Sequence, residues 1–241
     1  MTSSRLIEKV GESVDRASNP KVIEMYRCWT PDQLPLLKCN VQRVMFLSAP
    51  STGKTALMEA EAISCVENGI DAVFFIPNAD CDDVDETMCP QRNVKTLLAL
   101  RMEDNFERLR QKFGWKNSKL KVHSFKRNTR AINFEHLIGL IQSDEYQHSA
   151  IFIDEVFIFN YSRCLKNLKK IAELCGERKL WIAISAITST VRGELNDITI
   201  DKVKTIFKDD FYLPELLNPI RNSSGILKAA YPSLAGKILF L

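Results

Sequence analysis

From Val41 onward, short apolar runs alternate with stretches whose apolar residues recur at helical spacing. Val44-Met45-Phe46-Leu47, Ala72–Ile76, Ala150–Ile153 and Leu180–Ser185 are short and almost wholly apolar, which predicts buried strands, and Leu120–Phe125 predicts a further strand. Between them, helical periodicity predicts helices over Lys54–Asn68 (closed by Gly69), Val94–Phe113, Phe134–Ile141 and Ser162–Leu174. Ahead of this alternation, residues 4–16 predict a charged amphipathic helix that Asn19-Pro20 breaks. No internal repeat is visible. Strands that are apolar on both faces and separated by helices imply an α/β fold, a parallel β-sheet flanked by helices in a three-layer sandwich. Ligands of such sheets bind beyond the carboxyl ends of the strands.

Composition narrows the picture only a little. Hydrophobic residues make up 45% of the 241 positions and charged residues 26%, the balance of an ordinary globular chain. The net charge of +3 gives no global basic field of the kind that marks a nucleic-acid binder, so local patches must carry that argument. Seven cysteines occur without a C-x-x-C pair, beside only three histidines. This fits neither a zinc site nor a disulfide framework and predicts a reducing, intracellular setting, cytoplasmic or nuclear. No apolar stretch is long enough to predict a membrane span.

Two motifs follow directly on predicted strands. Ser48-Ala49-Pro50-Ser51-Thr52-Gly53-Lys54-Thr55 stands between a strand and a helix and matches G-x-x-x-x-G-K-[ST] except at its first position. In that pattern the loop N–H groups and the helix N-terminus surround phosphates, the lysine (Lys54) reaches the β- and γ-phosphates, and the hydroxyl of Thr55 ligates Mg²⁺. Ser48 and Ser51 stand where glycine is usual, which bears on affinity more than on fold. The second motif, Ile151-Phe152-Ile153-Asp154-Glu155, is a buried strand ending in two carboxylates. Asp154 is placed to hold the Mg²⁺ shell, and Glu155 to polarise the attacking water. An acidic pair there could also cap the following helix. Taken together, the motifs predict a P-loop NTPase that binds ATP and Mg²⁺ and hydrolyses the nucleotide.

Further segments resemble superfamily 1 helicases of the UvrD-like kind, specifically their first RecA-like domain. Trp29-Thr30-Pro31-Asp32-Gln33 is similar to the family's L-T/N-x-x-Q segment, and the resemblance implies that Gln33 hydrogen-bonds the adenine. Thr30 and Pro31 also read as a helix N-cap followed by the first helical residue. Leu216–Leu227 (L-L-N-P-I-R-N-S-S-G-I-L) resembles L-x-x-N-x-R-S-x-x-x-I-L, which implies a catalytic contact from Arg221 to the γ-phosphate, beside Lys54 and Glu155. Asn218 sits one position early, so its role is not carried over. The family's G-D-x-x-Q is missing. In its place Ala183–Ser189 loosely resembles the S-A-T segment of superfamily 2, where Ser185, Thr188 or Ser189 would either contact phosphate or serve the strand structurally.

The resemblance spans roughly Trp29–Leu227 and implies a RecA-like domain over 29–241 behind an N-terminal helical extension at 1–28. A motor of this kind closes two such domains on ATP, and the motifs of a second are missing. The final run Lys237–Leu241 reads as the end of a truncated product or as a last edge strand. Processive unwinding by this chain alone is therefore not expected. Lys116, Lys119, Lys121, Lys126, Arg127 and Arg130 surround His123 and Phe125, either as a contact for single-stranded DNA or RNA or as a solvated basic surface. Asp80, Asp82, Asp83, Asp85 and Glu86 lack EF-hand spacing and read as a solvated acidic loop. Two functions remain open: a helicase-like ATPase that acts with nucleic acid or with a partner supplying a second domain, and a regulatory switch that binds ATP to control a protein partner.

Overall fold

The computed structural model describes residues 29–47, 52–77, 97–115, 118–125, 127–128, 131–132, 134–157, 161–185, 200–214 and 216. Helix α1 (Leu34–Lys38) leads into strand β1 (Arg43–Phe46) and helix α2 (Lys54–Glu67). Strand β2 (Ala72–Pro77), helix α3 (Leu97–Phe113) and strand β3 (Leu120–Phe125) follow. A two-stranded ribbon, β4 (Arg127–Asn128) with β5 (Ala131–Ile132), precedes helix α4 (Phe134–Ile141). The described chain then runs through β6 (Ala150–Phe157), α5 (Tyr161–Cys175), β7 (Leu180–Ser185) and α6 (Ile200–Phe207).

Five strands form one all-parallel sheet in the order β1-β7-β6-β2-β3. Side chains alternate across it with the period of two that a strand imposes. Val44, Phe46, Phe74, Phe152, Trp181 and Ala183 enter one core, with α1, α2 and α3 above them through Leu36, Leu57, Met58, Met102 and Phe106. Met45, Val73, Phe75, Ile151, Ile153, Ile182 and Ile184 enter the other, under Leu137 and Ile138 of α4, Leu168 and Ile171 of α5, and Val203 and Phe207 of α6. The expected parallel sheet between two helical layers is what the structure has. Among the described residues no helix is long and apolar enough to cross a membrane.

The path of the chain through the sheet reverses once. From β1 it moves to β2 and β3 with its helices on the first face; it then returns through β6 and β7 with its helices on the second. Opposite travel on opposite faces is what right-handed crossovers require. Beyond β1 the sheet gains one further parallel bridge, Val44 to Tyr212, closed by Met45 N–H to Tyr212 C=O at 3.0 Å and Tyr212 N–H to Arg43 C=O at 2.9 Å.

Helix α2 is closed at one end and anchored along its length. Its carboxyl end closes on Gly69, whose φ of 84° only glycine adopts without strain, with Gly69 N–H to Val66 C=O and Ile70 N–H to Cys65 C=O. Along its length it carries two buried carboxylates. Glu59 is reached by Arg101 and Asn105 of α3. Glu61 pairs with Lys179, which also donates to Asn40 Oδ1 at 2.7 Å. Burial pushes the Glu61 carboxyl up, and Lys179 opposes that shift. Cys65, Cys164 and Cys175 are free, buried thiols, held protonated by burial at about 12, 12 and 11. They pack as small apolar groups.

Candidate functional site

The topology itself selects a place for a ligand. Strands β1 and β7 are neighbours, yet the helix after β1 covers one face and the next described helix after β7 covers the other. Such a switch point opens a crevice outside the carboxyl ends of the two strands. The P-loop-like segment leaves β1 at that end, and Asp154 and Glu155 lie on β6, on the far side of β7.

Ser48, Ala49, Pro50 and Ser51 lie outside the described residues; Thr52, Gly53, Lys54 and Thr55 lie within them. Gly53 has φ 82°, a left-handed turn that brings the chain into α2, and its carbonyl accepts the first helical bond from Leu57 N–H at 3.0 Å. Thr55, on the first turn of α2, donates its hydroxyl to Asp154 Oδ2 at 2.6 Å. The two residues are 99 positions apart, one after β1 and the other on β6, with β7 between those strands in the sheet.

Asp154 does not end its strand, as the sequence predicts, but sits inside it. The register of β6 against β7 slips between Ile153, opposite Ile182, and Val156, opposite Ile184. Two residues, Asp154 and Glu155, thus face one, which is a β-bulge that redirects side chains locally. Asp154 is 1% exposed, while Glu155 is exposed and takes φ 50°, a left-handed backbone that glutamate rarely adopts. Asp154 Oδ1 accepts Glu155 N–H at 2.9 Å. The signal available in the sequence was Val156-Phe157, an apolar continuation after the acids.

The electrostatics are those of a buried, unbalanced acid. Burial pushes the Asp154 carboxyl up from 3.8 to about 6, and the charge of Glu155 adds to this. The Thr55 hydroxyl, the Glu155 N–H and Lys54 hold it back. Burial likewise brings Lys54 down to about 8 against the attraction of Asp154 and Glu155. Among the described residues no group of three or more His, Cys, Asp or Glu is gathered to hold a metal ion. A hydroxyl and one carboxylate are hard oxygen donors of the type that suits Mg²⁺, which takes one or two carboxylates and fills its shell with phosphate oxygens and water.

Gln33 is fully buried. Its Nε2 donates to the Thr52 carbonyl at 2.8 Å, and its Oε1 accepts Thr30 N–H at 3.0 Å. A turn does begin at Thr30, whose carbonyl accepts from Gln33 and Leu34 N–H, but α1 proper starts at Leu34 with Pro35 in its first turn. The Thr30 hydroxyl, buried and without a partner among the described residues, caps nothing.

Other predicted residues fall elsewhere. Arg221, Thr188 and Ser189 lie outside the described residues, as do Lys116, Lys126, Arg130, the acidic loop, residues 1–28 and Lys237–Leu241. Ser185 closes β7, and Arg127 lies in the short ribbon. Lys119 is exposed, whereas Lys121 is engaged within the domain, paired with Glu145 and 5.6 Å above the Tyr146 ring. His123 bonds the Tyr146 hydroxyl at 2.5 Å and stacks on Phe75.

Compared with protein-family models and with curated proteins, the chain matches none.

Proposed function

We propose that this chain binds ATP with Mg²⁺ at the carboxyl end of β1 and hydrolyses it, as a helicase-like P-loop domain. The observation that carries the reading is the bond between Thr55 and Asp154. A G-K-T threonine and a strand acid 99 positions away share one proton at 2.6 Å, at the switch point where a parallel sheet takes ligands. Bound there, Mg²⁺ would be held by Thr55 and Asp154 together with phosphate oxygens, and would neutralise phosphate charge. Lys54, brought down to about 8 by burial, is poised to regain its full charge beside the β- and γ-phosphates. Glu155, exposed on the bulge, is the group placed to orient water. Arg221 belongs to the proposal as the cation that meets the γ-phosphate, by resemblance. Single-stranded nucleic acid and a partner supplying a second domain enter on the same footing.

Calorimetry of Mg-ATP against the wild-type chain and Lys54→Ala tests the reading. Binding by the first and none by the second is expected; equal affinity for the two would remove the loop from the site.

A further inference from the structure

We propose that Gln33 is a positioning residue for the phosphate loop and takes no part in choosing the base of the nucleotide. The clause on base choice rests on the nucleotide-binding reading above. The clause on positioning rests on the nucleotide-free geometry alone.

Gln33 exposes none of its surface, and each heteroatom of its carboxamide already has a partner in the chain: Thr30 N–H on the oxygen and the Thr52 carbonyl on the nitrogen. A side chain that reads a base must present its donor and acceptor together at the wall of a cleft, and here both are turned onto backbone. What the amide grips is informative. Thr52, 1% exposed, directly precedes the left-handed Gly53 and Lys54. In a planar trans peptide the C=O and the following N–H point in opposite directions. By fixing the Thr52 carbonyl, Gln33 therefore fixes where the Gly53 N–H points. The N–H groups at this turn are the ones a phosphate would engage.

The link also ties the turn from Thr30 into α1 to the start of α2, 19 positions further on, so the Thr52–Gly53 peptide is held in the nucleotide-free chain. Removing the amide would take these bonds from the Thr30 N–H and the Thr52 carbonyl and loosen the Thr52–Gly53 peptide. A loss of this kind corresponds to roughly tenfold in affinity and should be blind to the base.

The experiment uses the full chain with two substitutions. Gln33→Met keeps length and packing but makes neither bond; Gln33→Glu keeps the acceptor for Thr30 N–H and loses the donor to Thr52. Hydrogen exchange of the nucleotide-free proteins is read by mass spectrometry over residues 52–60, with residues 161–175 as the internal control for global unfolding. Calorimetry then gives affinities for Mg-ATP and Mg-GTP. Expected are about tenfold faster exchange over 52–60 in both variants with the control unmoved, and about tenfold weaker binding of both nucleotides at a constant ratio. Unchanged exchange over 52–60 overturns the positioning role. A loss of ATP affinity that spares GTP overturns the clause on base choice and makes Gln33 a reader of adenine. Failure of the wild-type chain to bind either nucleotide overturns the proposed function and the base clause with it, while the exchange result still decides whether Gln33 holds the loop.

Discussion

Asp154→Asn should make the nucleotide-free protein more stable, although it removes a ligand of the proposed metal. In the folded chain, burial raises the Asp154 carboxyl from 3.8 to about 6. Between those two values the folded state holds a proton that the unfolded state has released. Stability therefore falls as pH rises through this window, and the loss is complete above about pH 6. At about 1.4 kcal/mol per pH unit, the ionised carboxylate costs the folded protein about 3 kcal/mol at pH 7. That figure already includes the attraction of Lys54 and the bonds from Thr55 and Glu155, which act against burial. Asparagine removes the charge and keeps the shape; its oxygen can accept from Glu155 N–H, and its nitrogen can donate to the Thr55 hydroxyl. Urea unfolding of both proteins without nucleotide, from pH 4 to pH 7 and followed by far-UV circular dichroism, measures the effect. With a urea dependence on the order of 3 kcal/mol per M, the midpoint at pH 7 should rise by up to about 1 M. The gain should vanish near pH 4, where the wild-type carboxyl is protonated when folded. A variant no more stable than wild type at pH 7, or one with the same gain at both pH values, would refute burial as the dominant influence on this carboxyl.

Glu155 and the Glu61–Lys179 pair yield further expectations. Glu155→Gly relieves the left-handed backbone at φ 50° and should stabilise the nucleotide-free chain by about 1 kcal/mol in a thermal melt, while abolishing turnover. Glu155→Gln should leave Mg-ATP binding in place and slow hydrolysis in a steady-state phosphate-release assay; equal turnover would show that Glu155 is no catalyst. Lys179→Met leaves Glu61 buried without its partner and should cost about 3–5 kcal/mol in urea unfolding. The double variant Glu61→Leu, Lys179→Met should recover most of that loss, because an apolar pair replaces a buried charge that has lost its counterion. A rise in ATPase rate on adding single-stranded DNA or RNA, steep in salt, would favour the nucleic-acid-linked motor over the switch.

Much of the sheet was legible because both its faces are covered. Leu180–Ser185 was readable to the residue, since a strand buried on both sides writes nearly its full length in apolar letters, whereas the edge strand Leu120–Phe125 alternates buried Leu120 and Val122 with half-buried Lys121 and His123. Helix α5 was legible within a residue at either end by its single apolar stripe, whereas α2 is buried on nearly all sides and was legible from the G-K-T that opens it and the Gly69 that closes it. Strand β6 runs past its acids, against the expectation from the sequence, because a bulge lets charged residues sit inside a strand, and periodicity has no letter for that. Helix α1 is five residues long and contains proline, too short for a period to declare itself. In the site, Lys54, Thr55 and Asp154 were legible as motif residues. The link from Gln33 to Thr52 was not, because a backbone carbonyl has no residue type to read.

The place of β7 in the sheet has a consequence for how the protein is made. It is the last of the five strands to leave the ribosome, yet it lies between β1 and β6. Until residues 180–185 emerge, β1 has no neighbour from the sheet and the Thr55 hydroxyl has nothing to hold it near Asp154. A nascent chain carrying both motifs, but not yet β7, is therefore a chain without the proposed site. Binding at the proposed site, which would stabilise only what is folded, could act only after the sheet is closed at the centre.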